Sequence, residues 1–242
     1  MYFKNEFWAL IPARSKSKGL KHKNIKKIAG KHLIGYSLIT AAKCKKINKV
    51  IFSSDSKKYI QIAKKYKCDE FHLRSKKNST DNASEYSVFR EYIDQKLKKK
   101  LPLPLYFIHF RPTTPIRNMK TINKAINYFK KNQKKITCLR TASVVNDPPY
   151  RTSRVINGKL CALTKKDFDL DKWFRPRHFF PKTYKCNCII DIYKTKNILK
   201  GFLFGNKVIP YITRDFKIDI DDEEDFRRAE NFLKFKSKKK LW

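Results

Sequence analysis

Acidic residues are the scarce class in this chain: 21 Asp and Glu stand against 58 Lys and Arg, a formal net charge of +37 over 242 residues. Long apolar runs are missing too. The longest, such as 103–110 and 188–193, fall far short of the about 20 residues that a membrane span needs. Residues 1–8 carry no secretory apolar segment, so the expected setting is the cytoplasm, with no membrane partner. The six cysteines follow no framework spacing, which excludes a disulfide-stapled secreted fold and points to reduced thiols. Cys186 and Cys188 form a C-x-C, but no second Cys/His pair stands nearby to complete four zinc ligands.

A basic chain invites nucleic acid, because neutralising a phosphate backbone releases counterions. The distribution argues against it. Lysines are scattered over 43–46, 64–67, 96–100, 130–135 and 236–240, with no RNA-binding signature and no aromatic-basic interleave that stacks bases. They read as decoration of solvated faces, and no specific nucleic-acid partner is expected.

With 41% hydrophobic and 14% aromatic content, the chain can bury one sizeable core, and 1–242 is expected to form one globular domain. Strand-like and helix-like segments alternate, as in a parallel sheet with crossover helices. The apolar run 7–11 is followed by a basic loop and a helix over 33–45, with Leu33, Ser37, Ile39, Ala41 and Ala42 toward the core. A strand 50–54 ends where Ser54 or Asp55 can cap a helix over 57–66. Strand 70–73, helix 84–98 (Tyr86, Phe89, Ile93 and Leu97 on one face), strand 105–110, an Asn118-capped helix to Lys130 and strand 136–143 follow. The rhythm then changes over 144–187, with Asp147-Pro148-Pro149, an Asn157-Gly158 hairpin signal and a proline-aromatic-basic stretch at 173–185. So long and apolar an excursion is expected to dock on a second copy of the chain, giving a homodimer. Strands 189–193, 208–211 and 216–220 and a helix over 222–235 close the chain.

Two constellations carry chemistry. The first is the loop after the opening strand, where Arg14, Lys16, Lys18, Lys21 and Lys23 fall within ten positions. A buried strand running into a basic irregular loop and then a helix is how α/β proteins hold phosphate. Arg14, Lys18 and Lys23 could neutralise phosphate oxygens, with Asn24 and backbone amides near Gly19 adding directional bonds. Spacing alone leaves a solvated basic loop equally open. The second is acidic: seven of the 21 carboxylates lie between Asp215 and Asp225. On a strand, Ile218 and Ile220 point inward while Asp219 and Asp221 share the other face. A helix start explains 222–225 but not Asp219, and such a pair suits a magnesium ion.

These segments, taken in order, resemble the cytidylyltransferases that activate nine-carbon acidic sugars, the CMP-N-acylneuraminate synthetase family. The opening IPARSKSKGLKHKNIKKIAGKHLI follows that family's I-P-A-R, S-K-G-L, K-N and G-K-x-L-I pattern. Ser53-Ser54-Asp55, Leu73-Arg74 with Thr80-Asp81-Asn82-Ala83-Ser84, Arg111-Pro112-Thr113-Thr114-Pro115-Ile116-Arg117 and Ile218-Asp219-Ile220-Asp221 match in sequence. The resemblance implies a Rossmann-like, mostly parallel sheet flanked by helices, of the nucleotidyltransferase (GT-A-like) kind. It implies that Ala13, Arg14, Lys18, Lys23, Asn24, Arg74, Asp81, Asn82 and Ser84 surround CTP, and that Asp219 and Asp221 bind magnesium. Arg111, Arg151, Arg177 and Lys185 correspond to a sugar-acid site, where a guanidinium suits a carboxylate.

The sequence departs from the family pattern in places. Ser15-Lys16 replaces a small or amide pair and is expected to crowd or recharge the phosphate loop. Arg111 stands where sialate enzymes often have glutamine, Cys186-Asn187-Cys188 replaces P-N-G, and Lys185 replaces a common arginine. The implied reaction is attack by a sugar-acid anomeric hydroxyl on the α-phosphorus of CTP, releasing pyrophosphate. Other sugars or nucleotides, a nucleic-acid-binding protein and a homologue without turnover are the alternatives. No general base is evident, since none of the five histidines has a carboxylate partner in sequence.

Overall fold

The first strand shows why the sheet lies at the centre. In a computed structural model describing residues 3–16, 19–163 and 167–238, β1 (Phe3–Pro12) sends Phe7, Ala9 and Ile11 to one face and Trp8 and Leu10 to the other. All five are at most 3% exposed, so both faces are covered. One side carries α1 (Leu33–Lys43), α2 (Lys57–Ala63) and α4 (Met119–Asn132), and the other α3 (Glu85–Lys98) and α5 (Thr195–Leu199).

The remaining strands of the main sheet are β4 (Lys49–Ser54), β5 (Glu70–Leu73), β6 (Leu103–His109), β7 (Cys138–Val144), β10 (Tyr184–Lys194) and β11 (Val208–Ile212). They form a seven-stranded sheet in the order β11-β7-β10-β6-β1-β4-β5. Every pairing is parallel except the two made by β10. The expected Rossmann-like, mostly parallel α/β architecture is therefore present. Two small sheets stand apart: β2 (Lys27–Ile28) with β3 (Lys31–His32), and β8 (Ser153–Ile156) with β9 (Lys159–Ala162). The β8–β9 turn is Asn157-Gly158, with φ of 49° and 74°, as an Asn-Gly hairpin requires.

Helix starts follow side-chain capping. Asn118 accepts from the Lys120 amide and Ser84 from the Ser87 amide, while α2 is capped by Ser56, which accepts from the Tyr59 amide, rather than by Ser54 or Asp55. Asp55 is instead taken by Ser15. In α1 the inward face is Leu33, Ile34, Ser37, Leu38 and Ala41, with Ile39 and Ala42 only half-buried. In α3, Val88, Phe89, Tyr92 and Ile93 are buried, and Tyr86 and Leu97 lie at the margin.

The expected strand over 216–220 is not part of the sheet. Residues 213–221 carry no regular secondary structure, and the Ile220 amide donates to the Thr113 carbonyl at 2.8 Å. Alternation survives without the ladder. Ile218 and Ile220 enter a third apolar cluster with Ile28, Tyr36, Ile116 and the face of α6 (Glu223–Lys238), leaving Asp219 and Asp221 outside.

Beside this core, His72 on β5 is 3% exposed and its pKa is lowered to about 4 by burial. Its Nδ1 meets the Ser53 hydroxyl at 2.9 Å, and that hydroxyl also accepts from Arg74 Nε. An unfolded His72 takes up a proton near pH 6.5, whereas the folded one stays neutral until about pH 4. Acidification through that window therefore favours unfolding. Between pH 7 and pH 5 this group should cost about 2 kcal/mol of stability. Urea unfolding at the two pH values should show that His72→Gln narrows the loss by this amount.

Candidate active site

The carboxyl ends of β1 and β6 face the point where the chain turns from building one half of the sheet to building the other, the usual place for a ligand in such folds. A cleft of about 590 Å³ opens there. Arg14, Gly19, Lys23 and Asn24 line it from the loop after β1, Arg74 from beyond β5, Ser84 and Glu85 from the start of α3, and His109, Arg111, Thr113 and Asp221 close it.

One wall is cationic, and each member is fixed differently. Arg14 pairs with Asp81 at 2.6 Å and remains partly exposed. Arg74 is 9% exposed, donating to the Ser53 hydroxyl and carbonyl at 3.0 and 2.9 Å; burial lowers its pKa to about 10, leaving it charged at neutral pH. Lys23 is 8% exposed, and its ammonium donates to the Ile220 carbonyl and to Asp221 Oδ1, the latter at 3.3 Å. Asn24 donates to the Arg14 carbonyl at 3.0 Å, while its own Oδ1 is buried with no donor among the described residues. A buried acceptor of that kind is costly unless a ligand donor meets it. Lys18 lies outside the described residues.

Ser15 does not crowd this wall. Its amide and hydroxyl both donate to Asp55, at 2.8 and 2.6 Å, which turns the side chain toward α2. Lys16 is exposed.

The acidic segment lies against the same loop. Asp221 is 80% exposed at its side chain, Asp219 is exposed, and the Thr114 hydroxyl approaches Asp219 Oδ1 at 3.5 Å. Because both isoleucines between and before them are buried, the two carboxylates emerge on one side. Two open hard-oxygen donors suit a magnesium ion, whose remaining positions phosphate oxygens and water would fill. Among the described residues there is no group of three or more potential metal ligands.

The opposite end is electrically balanced. Arg111 NH1 donates to Asp191 at 2.8 Å, and its Nε and NH2 donate to the two Glu85 oxygens at 2.7 Å each. Asp191, fully buried, also accepts from Arg140 at 3.2 Å and from the Tyr193 hydroxyl at 3.2 Å. Burial alone would lower the Arg111 pKa, but Asp191 and then Glu85 override it and hold the guanidinium charged. His109, 1% exposed, meets the Tyr193 hydroxyl at 3.2 Å through Nδ1. Burial, followed by the Arg111 and Arg117 charges, drives its pKa well down, so the imidazole is neutral.

The structure thus brings Arg14, Lys23, Asn24, Arg74, Ser84, Arg111 and Asp221 to one cleft. Ala13 sits buried behind it, with Asp81 and Asn82 exposed beside it. Arg151, Arg177 and Lys185 do not line it. Arg151 lies over the Phe174 ring at 5.9 Å, while Arg177 and Lys185 are exposed. Arg111 is not the free cation that the sequence suggested, because two carboxylates already take its donors. Sequence reasoning missed Glu85 and His109. Glu85 lay unremarked inside the helix expected over 84–98, and His109 was set aside with the other histidines for want of a carboxylate partner in sequence.

The fold and cleft define an α/β protein of the nucleotidyltransferase type. The cytidylyltransferase family model matches residues 8–236, and the chain belongs to that family. It is 30% identical over 234 residues to an N-acylneuraminate cytidylyltransferase of Escherichia coli O18:K1:H7, covering 96% of this chain and 53% of that protein. The chain thus spans about half the length of that relative. Against post-translational flagellin modification protein B of Campylobacter coli it is 29% identical over 238 residues, covering 96% and 97% of the two chains. A solved CMP:2-keto-3-deoxy-manno-octonic acid synthetase complexed with CTP shares the fold, with TM-score 0.66 and 14% identity, covering 94% of this chain and 98% of that one.

Gly19 tests how closely the basic loop must approach the acidic segment. A Cβ there would stand 2.3 Å from the Asp221 carbonyl oxygen. Gly19→Ala should therefore push the two apart, costing about 1–3 kcal/mol of stability, measurable by thermal unfolding.

Proposed function

We propose that the protein is a cytidylyltransferase that couples CTP to a 2-keto-3-deoxy sugar acid, giving a CMP-sugar and pyrophosphate. The observation that carries this reading is the cationic wall of Arg14, Lys23 and Arg74 gathered with Asp221 in one cleft. Family membership supports CTP as the nucleotide, and relatives named for N-acylneuraminate and N,N'-diacetyllegionaminic acid support the substrate class.

The anomeric hydroxyl attacks the α-phosphorus, the bond to the bridging oxygen of pyrophosphate breaks, and the hydroxyl proton passes to solvent. Such a transfer depends on alignment and charge neutralisation more than on covalent catalysis. Arg14 and Lys23 offset charge that grows on the leaving pyrophosphate, and the family resemblance gives Lys18 a like role. Asn24 supplies an acceptor to the nucleotide, and Arg74, Asp81, Asn82 and Ser84 border it. Asp219 and Asp221 would hold magnesium, which when bound polarises phosphate oxygens. Neutral His109 is not a proton donor at physiological pH. Arg151, Arg177 and Lys185 would reach the sugar acid only from outside the cleft just described.

Pyrophosphate release with each of the four nucleoside triphosphates and a panel of 2-keto-3-deoxy acids tests the reading. Turnover is expected with CTP alone among the nucleotides, and silence with every acid would overturn it. Asp219→Ala and Asp221→Ala should each lower kcat/KM by about 100-fold, or about 2.7 kcal/mol of transition-state stabilisation.

A second copy of the chain fits the 144–187 excursion, where Val155, Leu160, Phe168, Phe174 and Phe179 are 52–69% exposed. Apolar groups left open in one region mark an interaction surface. Sedimentation should show a dimer at micromolar concentration that Phe168→Ser with Phe179→Ser converts to monomer.

A further inference from the structure

The bond between Glu85 and Arg111 has the geometry of a substrate contact. Both carboxylate oxygens engage Nε and NH2 of one guanidinium edge at 2.7 Å, the fork-to-fork arrangement by which arginine binds a free carboxylate. The other edge is anchored inside, where NH1 meets the fully buried Asp191. Arg111 is therefore fixed, and its second edge faces Glu85 at the cleft. Glu85 itself is the loose member. Its side chain is 39% exposed, against 16% for Arg111 and 0% for Asp191, and it stands at the first position of α3.

We propose that Glu85 occupies, in the free protein, the seat that the carboxylate of the sugar acid takes on Arg111. This rests on the sugar-acid reading above and adds to it a displaceable competitor. Exchange of one carboxylate for another keeps the buried cluster of Arg111, Asp191 and Arg140 in the same charge balance. A neutral sugar cannot make the exchange, because it would leave Arg111 with a lost partner and no replacement. The pair thus selects for an acid, and it sets how tightly that acid binds.

The consequence has an unusual sign. Removing the Glu85 charge vacates the seat, so affinity for the acid rises: a competitor that fills a site most of the time lowers apparent affinity by its own occupancy. With N-acetylneuraminate as the probe at saturating CTP, Glu85→Gln should lower the KM for the acid by roughly 3- to 5-fold. Arg111→Gln should raise the KM for the acid by roughly 10-fold or more, and the C1 amide of the same sugar should lose its dependence on residue 85.

If Glu85→Gln raises the KM for the acid, Glu85 contacts the substrate itself and the proposal fails. An unchanged KM in both variants makes the pair purely structural, which also overturns it. Glu85→Asp, whose shorter arm cannot span both guanidinium donors, should shift KM in the same direction as Glu85→Gln, and it serves where the glutamine variant unfolds. Absence of wild-type turnover with every acid on the panel would instead bring down the function reading, and this proposal with it. The two failures are therefore separate.

Discussion

The buried ammonium of Lys23 is the contact on which the cleft depends. It lies in a short turn after β1 and donates to the Ile220 carbonyl and to Asp221, 197 and 198 residues further along the chain. A charge removed from water must find partners at once, because its desolvation is expensive. Here a backbone carbonyl and an open carboxylate supply them, and they draw the segment carrying Asp219 and Asp221 onto the basic loop. Gly19 permits the approach, since any side chain there would meet the Asp221 carbonyl. The Ile220 amide completes the attachment by donating to Thr113, beyond β6.

From that contact the two ends of the cleft acquire opposite characters. Around Lys23 positive charge is left partly open, with Arg14 half-exposed and Arg74 charged beneath it. Around Arg111 charge is cancelled by Glu85 and Asp191. A chain of net charge +37 could have filled the cleft with cations throughout. Instead it places two of its few carboxylates against one arginine, and the neutral His109 beside them. A polyphosphate is suited to the first end, and a ligand with one carboxylate to the second.

Much of the architecture was legible in order. The alternation of Phe7, Ala9 and Ile11 with Trp8 and Leu10 marks a strand covered on both faces. Asn118 starts a helix through its own side chain, and Asn157-Gly158 turns a hairpin. These are local effects that short-range sterics and hydrogen bonds settle. Errors arose where a residue had a distant competitor. Asp55 was a reasonable cap for α2 until Ser15, 40 residues away, took both of its oxygens. Residues 216–220 carried a strand pattern, but their inward side chains pack on α6 and the β2–β3 hairpin, so burial was met without a sheet partner.

The sequence by itself determined the alternation of strands and helices, the basic loop, and the placing of Asp219 and Asp221 on one side. Each follows from periodicity or from neighbours a few residues apart. Tertiary structure alone decided that Lys23 reaches Asp221, that the Asn24 acceptor finds no donor among the described residues, and that Arg111 is already occupied. Those outcomes depend on which charges meet after folding, and a chain with 58 basic residues offers far more candidates than a one-dimensional pattern can rank. Only packing fixes which few of them lose their water.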